Sequence, residues 1–133
     1  MNLEDLNKML NSALTTKIKE SFITNNELLV SVELINLYSI ILFLKTNKEC
    51  KFRQLIDIVG VDYPNHEKRF KLYYLLLSHE NNLRIKISTS FLIDEKISSI
   101  TKIFPSANWM EREVFDMYGI KFKNHPDLRR ILT

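Results

Sequence analysis

Glu111, Glu113, Asp116 and His125 are the residues whose types could do acid–base or metal chemistry. Carboxylates and an imidazole can pass a proton or hold a hard cation, provided that they converge. Glu111 and Glu113 stand two apart and point to different faces of any helix, which argues against a shared centre. The same residues also read as a solvated, salt-bridged helix or as a surface that docks another protein, and the docking reading is preferred. Cys50 lies beside Lys48 and Lys51, which could lower its pKa. With no base or second thiol in sight, it reads as incidental. His66 and His79 flank apparent turns and read as exposed.

Composition narrows the chemistry further. An iron–sulfur cluster takes about four thiolates and a structural zinc about four Cys or His ligands. The chain has one Cys and three scattered His. Nucleotide and dinucleotide folds cluster glycines where backbone approaches phosphate, whereas Gly60 and Gly119 are alone and far apart. Metal, flavin, NAD and ATP sites of the common kinds are therefore not expected. The 133 residues, 45% of them hydrophobic, suffice for one domain with its own core.

The formal charge of +3 resides wholly in the last thirteen residues, where Lys121, Lys123, Arg129 and Arg130 face only Asp127. Such a patch suits an acidic protein surface, a phosphate backbone or anionic lipid. No leader is evident at the N-terminus. The longest apolar stretch, Leu34 to Leu44, is about half the ~20 residues of a spanning helix.

The elements that must position these residues read as α+β: a mainly antiparallel sheet of about four strands with packed helices, in a single domain over 1–120, followed by a short basic docking segment over 121–133. Leu3, Leu6, Leu10, Leu14 and Ile18 fall on one helical face. Asn25-Asn26 suits a tight turn. A strand follows over Leu28 to Leu34, then a helix over Leu37 to Lys45 with Leu37, Ile40, Ile41 and Leu44 inward. Leu55 to Tyr63 begins ambiguously but ends in β-favouring residues, with Gly60 allowing a bend or bulge and Pro64 stopping it. Phe70 to Leu77 and Leu83 to Ser88 form a hairpin turning at Asn81-Asn82, the first strand central and covered on both faces. Ile97, Ile100 and Ile103 suggest a short helix ended by Pro105.

Near the C-terminus, Asn108 and Glu111 have capping-box spacing for a helix from about Met110. Gly119 suits its left-handed stop. Trp109, Phe115 and Tyr118 read as core more than contact. His125-Pro126-Asp127-Leu128-Arg129-Arg130-Ile131-Leu132 has the grammar of a second, very short helix, which must dock to be stable.

The blocks Trp109-Met110-Glu111-Arg112-Glu113-Val114-Phe115-Asp116-Met117-Tyr118-Gly119-Ile120 and His125 to Leu132, with Gly60-Val61-Asp62-Tyr63-Pro64 upstream, resemble the 30-kDa subunit family of NADH:quinone oxidoreductase, respiratory complex I. The likeness runs from about residue 28 to 133. It implies a core subunit of the peripheral arm with no redox cofactor on this chain, the flavin and iron–sulfur clusters being carried by partner subunits. The 49-kDa-type subunit and neighbouring cluster-bearing subunits are the implied partners in a hetero-oligomer, without nucleic acid or a membrane span. Glu111, Arg112, Glu113, Asp116, His125, Asp127, Arg129 and Arg130 are then the candidate partner-docking residues. The family usually continues past the position of Thr133 with a further tail. The wealth of Asn, Ile and Lys suggests an AT-rich genome and favours an organelle-encoded chain. The resemblance then implies the matrix side of the mitochondrial inner membrane, with the cytoplasmic face of a bacterial membrane as the alternative. An equivalent subunit of a membrane-bound hydrogenase or other quinone reductase, and a small nucleic-acid-binding domain using the basic tail, remain the other readings.

Overall fold

The structure, a computed structural model, describes residues 1–126. Its order is α1 (Leu3–Ala13), β1 (Ile18–Thr24), β2 (Glu27–Val32), a 3-10 turn (Leu34–Asn36), α2 (Leu37–Thr46), β3 (Gln54–Asp62), β4 (Phe70–Ser78), β5 (Leu83–Phe91), β6 (Ile97–Ser98), α3 (Ala107–Tyr118) and β7 (Phe122–Lys123). Five strands form one sheet in the order β1-β2-β5-β4-β3, and β6 pairs with β7 in a separate two-stranded ladder. All neighbours in the large sheet are antiparallel except β2 and β5, which run parallel, Leu28 opposite Ile85 and Val30 opposite Ile87. The sheet is therefore mixed and has five strands where four were expected.

The additional strand is β1. Ile18 opens it and does not continue α1, which ends at Ala13. Asn25 and Asn26 both adopt left-handed backbone, with φ of 50° and 62°, and set the register of Thr24 opposite Glu27. Two consecutive positive φ values match the twist of a two-residue hairpin, which Asn tolerates better than most residues. A capping box fixes the other end of α1: Asp5 N–H donates to Asn2 Oδ1 at 2.8 Å, and Asn2 N–H to Asp5 Oδ2.

Alternation along β4 sends Phe70, Leu72, Tyr74, Leu76 and Ser78 into the core. Lys71, Tyr73, Leu75 and Leu77 are only half-buried on the other face. That face is not covered as the apolar run suggested. The ammonium groups of Lys71 and Lys86 lie over the Tyr73 ring, 5.3 and 6.0 Å from its centroid, as cation–π contacts. On the covered face α2 buries Leu37, Ile40, Ile41 and Leu44, as its periodicity predicts. Full burial of each such side chain contributes about 1.5–3 kcal/mol.

Ile97, Ile100 and Ile103 are all buried, but on a short strand and a turn, not on a helix. β6 instead pairs in parallel with β7, Ile97 N–H donating to Lys121 O and Ser99 N–H to Lys123 O, both at 3.0 Å. This ladder and buried Phe122 carry the packed fold past Ile120.

Helix α3 starts at Ala107, earlier than Asn108 would set it, and its N-cap Ser106 makes no side-chain cap bond. Its stop is as the sequence reads: Gly119 has φ 73° and donates its N–H to Phe115 O at 2.8 Å. A Cβ there would meet nothing within 4 Å, so only the backbone resists substitution. Gly119→Ala should cost about 1–2 kcal/mol, and Gly119→Asn much less, read as shifts in a urea midpoint.

Candidate functional site

Turn residues 99–101 leave donors that need partners inside the protein, and Glu111 meets them. Its Oε1 accepts from Ser99 Oγ at 2.7 Å and its Oε2 from Ile100 N–H at 2.9 Å. The Glu111 side chain is fully buried, so it is not the surface charge that the capping-box spacing implied. A third group comes from beyond β7. His125 Nε2 lies 3.8 Å from Glu111 Oε1 and 3.1 Å from Asn108 O, and its side chain is also without solvent exposure. A carbonyl only accepts, so Nε2 carries its proton toward Asn108. Asn124, left-handed at φ 65°, turns the chain so that the imidazole can return to α3.

Burial pushes the Glu111 carboxyl up to about 7, against the opposing pull of the Ile100 N–H and the Ser99 hydroxyl. Across the core, the Tyr74 hydroxyl is raised well above its ordinary value, by burial first and then by the charge of Glu111. That hydroxyl has no hydrogen-bond partner among the described residues. Tyr74→Phe removes an unsatisfied buried group and should raise stability by roughly 0.5–1 kcal/mol in equilibrium denaturation.

Glu113, by contrast, is exposed, which agrees with the two-residue spacing. The Arg112 guanidinium lies over the Trp109 ring, 5.4 Å from its centroid. Trp109 is half in solvent and is not core; Phe115 and Tyr118 are half-buried. Asp116 is half-buried on the same helix. Asp127, Arg129 and Arg130, and the short helix expected from Pro126 to Leu132, lie outside the described residues. Among the described residues no three of His, Cys, Asp and Glu gather as a metal site would require. Cys50 is buried, its thiol pushed up to about 11 by desolvation and then by Glu49, so the neighbouring lysines do not activate it. His66 and His79 are exposed, as expected.

The arrangement joins parts of the chain. Glu111 ties α3 to the 99–101 turn, and His125 ties the segment after β7 to α3. Sequence reasoning picked out both residues, yet their meeting depends on the β6–β7 ladder, which no local pattern announced.

The family model described as the 30 Kd subunit of respiratory-chain NADH dehydrogenase matches residues 30–133. The chain belongs to this family. It is 42% identical over 132 residues to the NADH-quinone oxidoreductase C subunit of Rhodospirillum rubrum, covering 99% of this chain and 62% of that protein. With the corresponding C subunit of a Wolbachia from Brugia malayi it is 49% identical over 119 residues, 88% of this chain and 63% of the relative. The chain thus spans less than two thirds of these curated relatives. Among solved structures, a trypsin-resistant fragment of Nqo5 superposes with a TM-score of 0.76 at 27% identity, covering 92% of this chain and 98% of that one. A chain of an archaeal membrane-bound sulfane sulfur reductase shares the fold at 22% identity, with a TM-score of 0.81 over 98% of this chain and 75% of the other. No helix among the described residues is long and apolar enough to cross a membrane.

Proposed function

We propose that the chain is a core subunit of the peripheral arm of a proton-pumping NADH:quinone oxidoreductase. In this reading it carries no redox centre and holds cluster-bearing neighbours in fixed relation. Family membership over residues 30–133 carries the reading. The site supports it: the described part of the family's C-terminal signature forms a fastening between α3, a turn and the chain after β7, with both Glu111 and His125 closed off from solvent. Electron transfer between centres needs fixed geometry, and a packed scaffold supplies it. The partners are the 49-kDa-type subunit and adjoining cluster-bearing subunits, and the location is the matrix face of the mitochondrial inner membrane or the equivalent bacterial cytoplasmic face.

Depletion of the chain should abolish NADH-driven quinone reduction by the membranes, and re-expression should restore it. The isolated chain should neither oxidise NADH nor show a chromophore. Unchanged quinone reduction after complete depletion would overturn the proposal.

A further inference from the structure

Helix α3 carries a second feature, on the side away from Glu111. Trp109, Glu113 and Met117 recur at four-residue spacing and form an outward stripe. Met117 is 73% exposed and Trp109 51%. Large apolar side chains of these two types are enriched where proteins meet. Beside the stripe, between α3 and the edge strand β3, runs a groove of about 290 Å³ lined by Asp57, Val59, Met110, Glu113, Met117 and Tyr118.

The walls of the groove define what fits. Two backbone groups of β3 are already taken: Asp57 Oδ1 accepts from Ile58 N–H at 2.8 Å, and Tyr118 Oη donates to Gly60 O at 3.1 Å. Such capping blunts an edge, so the occupant contributes side chains and does not extend the sheet. Its charge is also specified. Asp57 and Glu113 have no ion-pair partner among the described residues, and Arg112, the nearest cation in sequence, is turned onto Trp109. Two carboxylates over an apolar floor are complementary to a cation carried among apolar groups.

We propose that this groove receives a segment of a neighbouring protein chain, placing Lys or Arg between Asp57 and Glu113 and apolar side chains against Val59, Met110 and Met117. The assignment rests on the reading of the chain as a subunit of the oxidoreductase and names the chemistry of one of its contacts.

The test uses the assembled particle containing the full chain, with the photoreactive residue p-benzoylphenylalanine replacing Met117, and in a control replacing Ile35, which is 89% exposed on the 3-10 turn. Irradiation should join position 117, and not position 35, to a Lys- or Arg-containing peptide of another subunit. Glu113→Lys should lower recovery of the chain in the particle by roughly tenfold or more, and Glu113→Asp should not. Glu113 is exposed, and an unchanged thermal midpoint of the isolated chain separates lost docking from misfolding. An adduct on a peptide without a cation, on lipid, on a second copy or on this chain itself would overturn the proposal, as would no adduct while the chain stays in the particle. Absence of the parent chain from the purified oxidoreductase would instead bring down the subunit reading on which the proposal rests.

Discussion

Glu111→Gln should leave stability near pH 4.5 within about 1 kcal/mol of the parent, yet make the variant the more stable by roughly 3 kcal/mol above pH 7. The sign follows from the direction of the shift. The carboxyl is raised from 4.5 to about 7 in the folded chain, so the folded state holds its proton more tightly than the unfolded one. The parent therefore loses stability as pH rises through that window, at up to about 1.4 kcal/mol per unit, and the amide does not. Gln still offers a carbonyl to Ile100 N–H. Its NH2 meets Ser99 Oγ, which can accept from it and donate to Thr101 Oγ1, 2.9 Å away. His125 and Tyr74 are the titratable groups facing this position. Glu111→Ala has no such replacement: it leaves Ile100 N–H unsatisfied and opens a cavity, for a loss of about 2–4 kcal/mol at pH 4.5 that shrinks at higher pH. Urea midpoints measured from pH 4.5 to 8 check both; parallel profiles for parent and Gln variant would refute the assignment.

Gly60→Val should destabilise by about 2–4 kcal/mol, although valine normally favours a strand. A Cβ at Gly60 would stand 3.0 Å from Tyr118 Cε2 and 3.1 Å from Cδ2. The ring has little freedom to yield, because its hydroxyl is bound to Gly60 O and Phe70 meets it edge-on at 6.4 Å. Displacing it costs a hydrogen bond as well as packing. In a Tyr118→Ala background the same substitution should be neutral or stabilising, so a double-mutant cycle should give a coupling of about 2 kcal/mol or more. Additive effects would show that Tyr118 does not explain this glycine. No bulge falls at Gly60: the register shift in β3 lies between Leu55 and Asp57, and the glycine lets the Tyr118 ring approach closely.

Local pattern reached only as far as local causes. The inward face of α2, the Asn25-Asn26 turn and the stop at Gly119 are each decided within a few residues, and all were legible. β1 was not, because an edge strand with Phe22 and Ile23 partly in water shows no clean alternation. The parallel join of β2 to β5 pairs residues far apart in the chain, and spacing carries no trace of it. Glu111 misled for a different reason: its spacing from Asn108 satisfies the cap rule, but the donors at Ser99 and Ile100 outcompete that role. Its contact with His125 bridges fourteen positions through β7, whose two residues are too few to announce a strand.

The central claim is tested most directly by purifying the particle through a tag on this chain, identifying its subunits by mass spectrometry and locating the chain by electron cryo-microscopy. A scaffold role predicts a complex that reduces quinone with NADH, with this chain free of redox centres and packed between cluster-bearing subunits of the hydrophilic arm. Recovery of the chain as a free monomer, or of a flavin or cluster bound within it, would contradict that role.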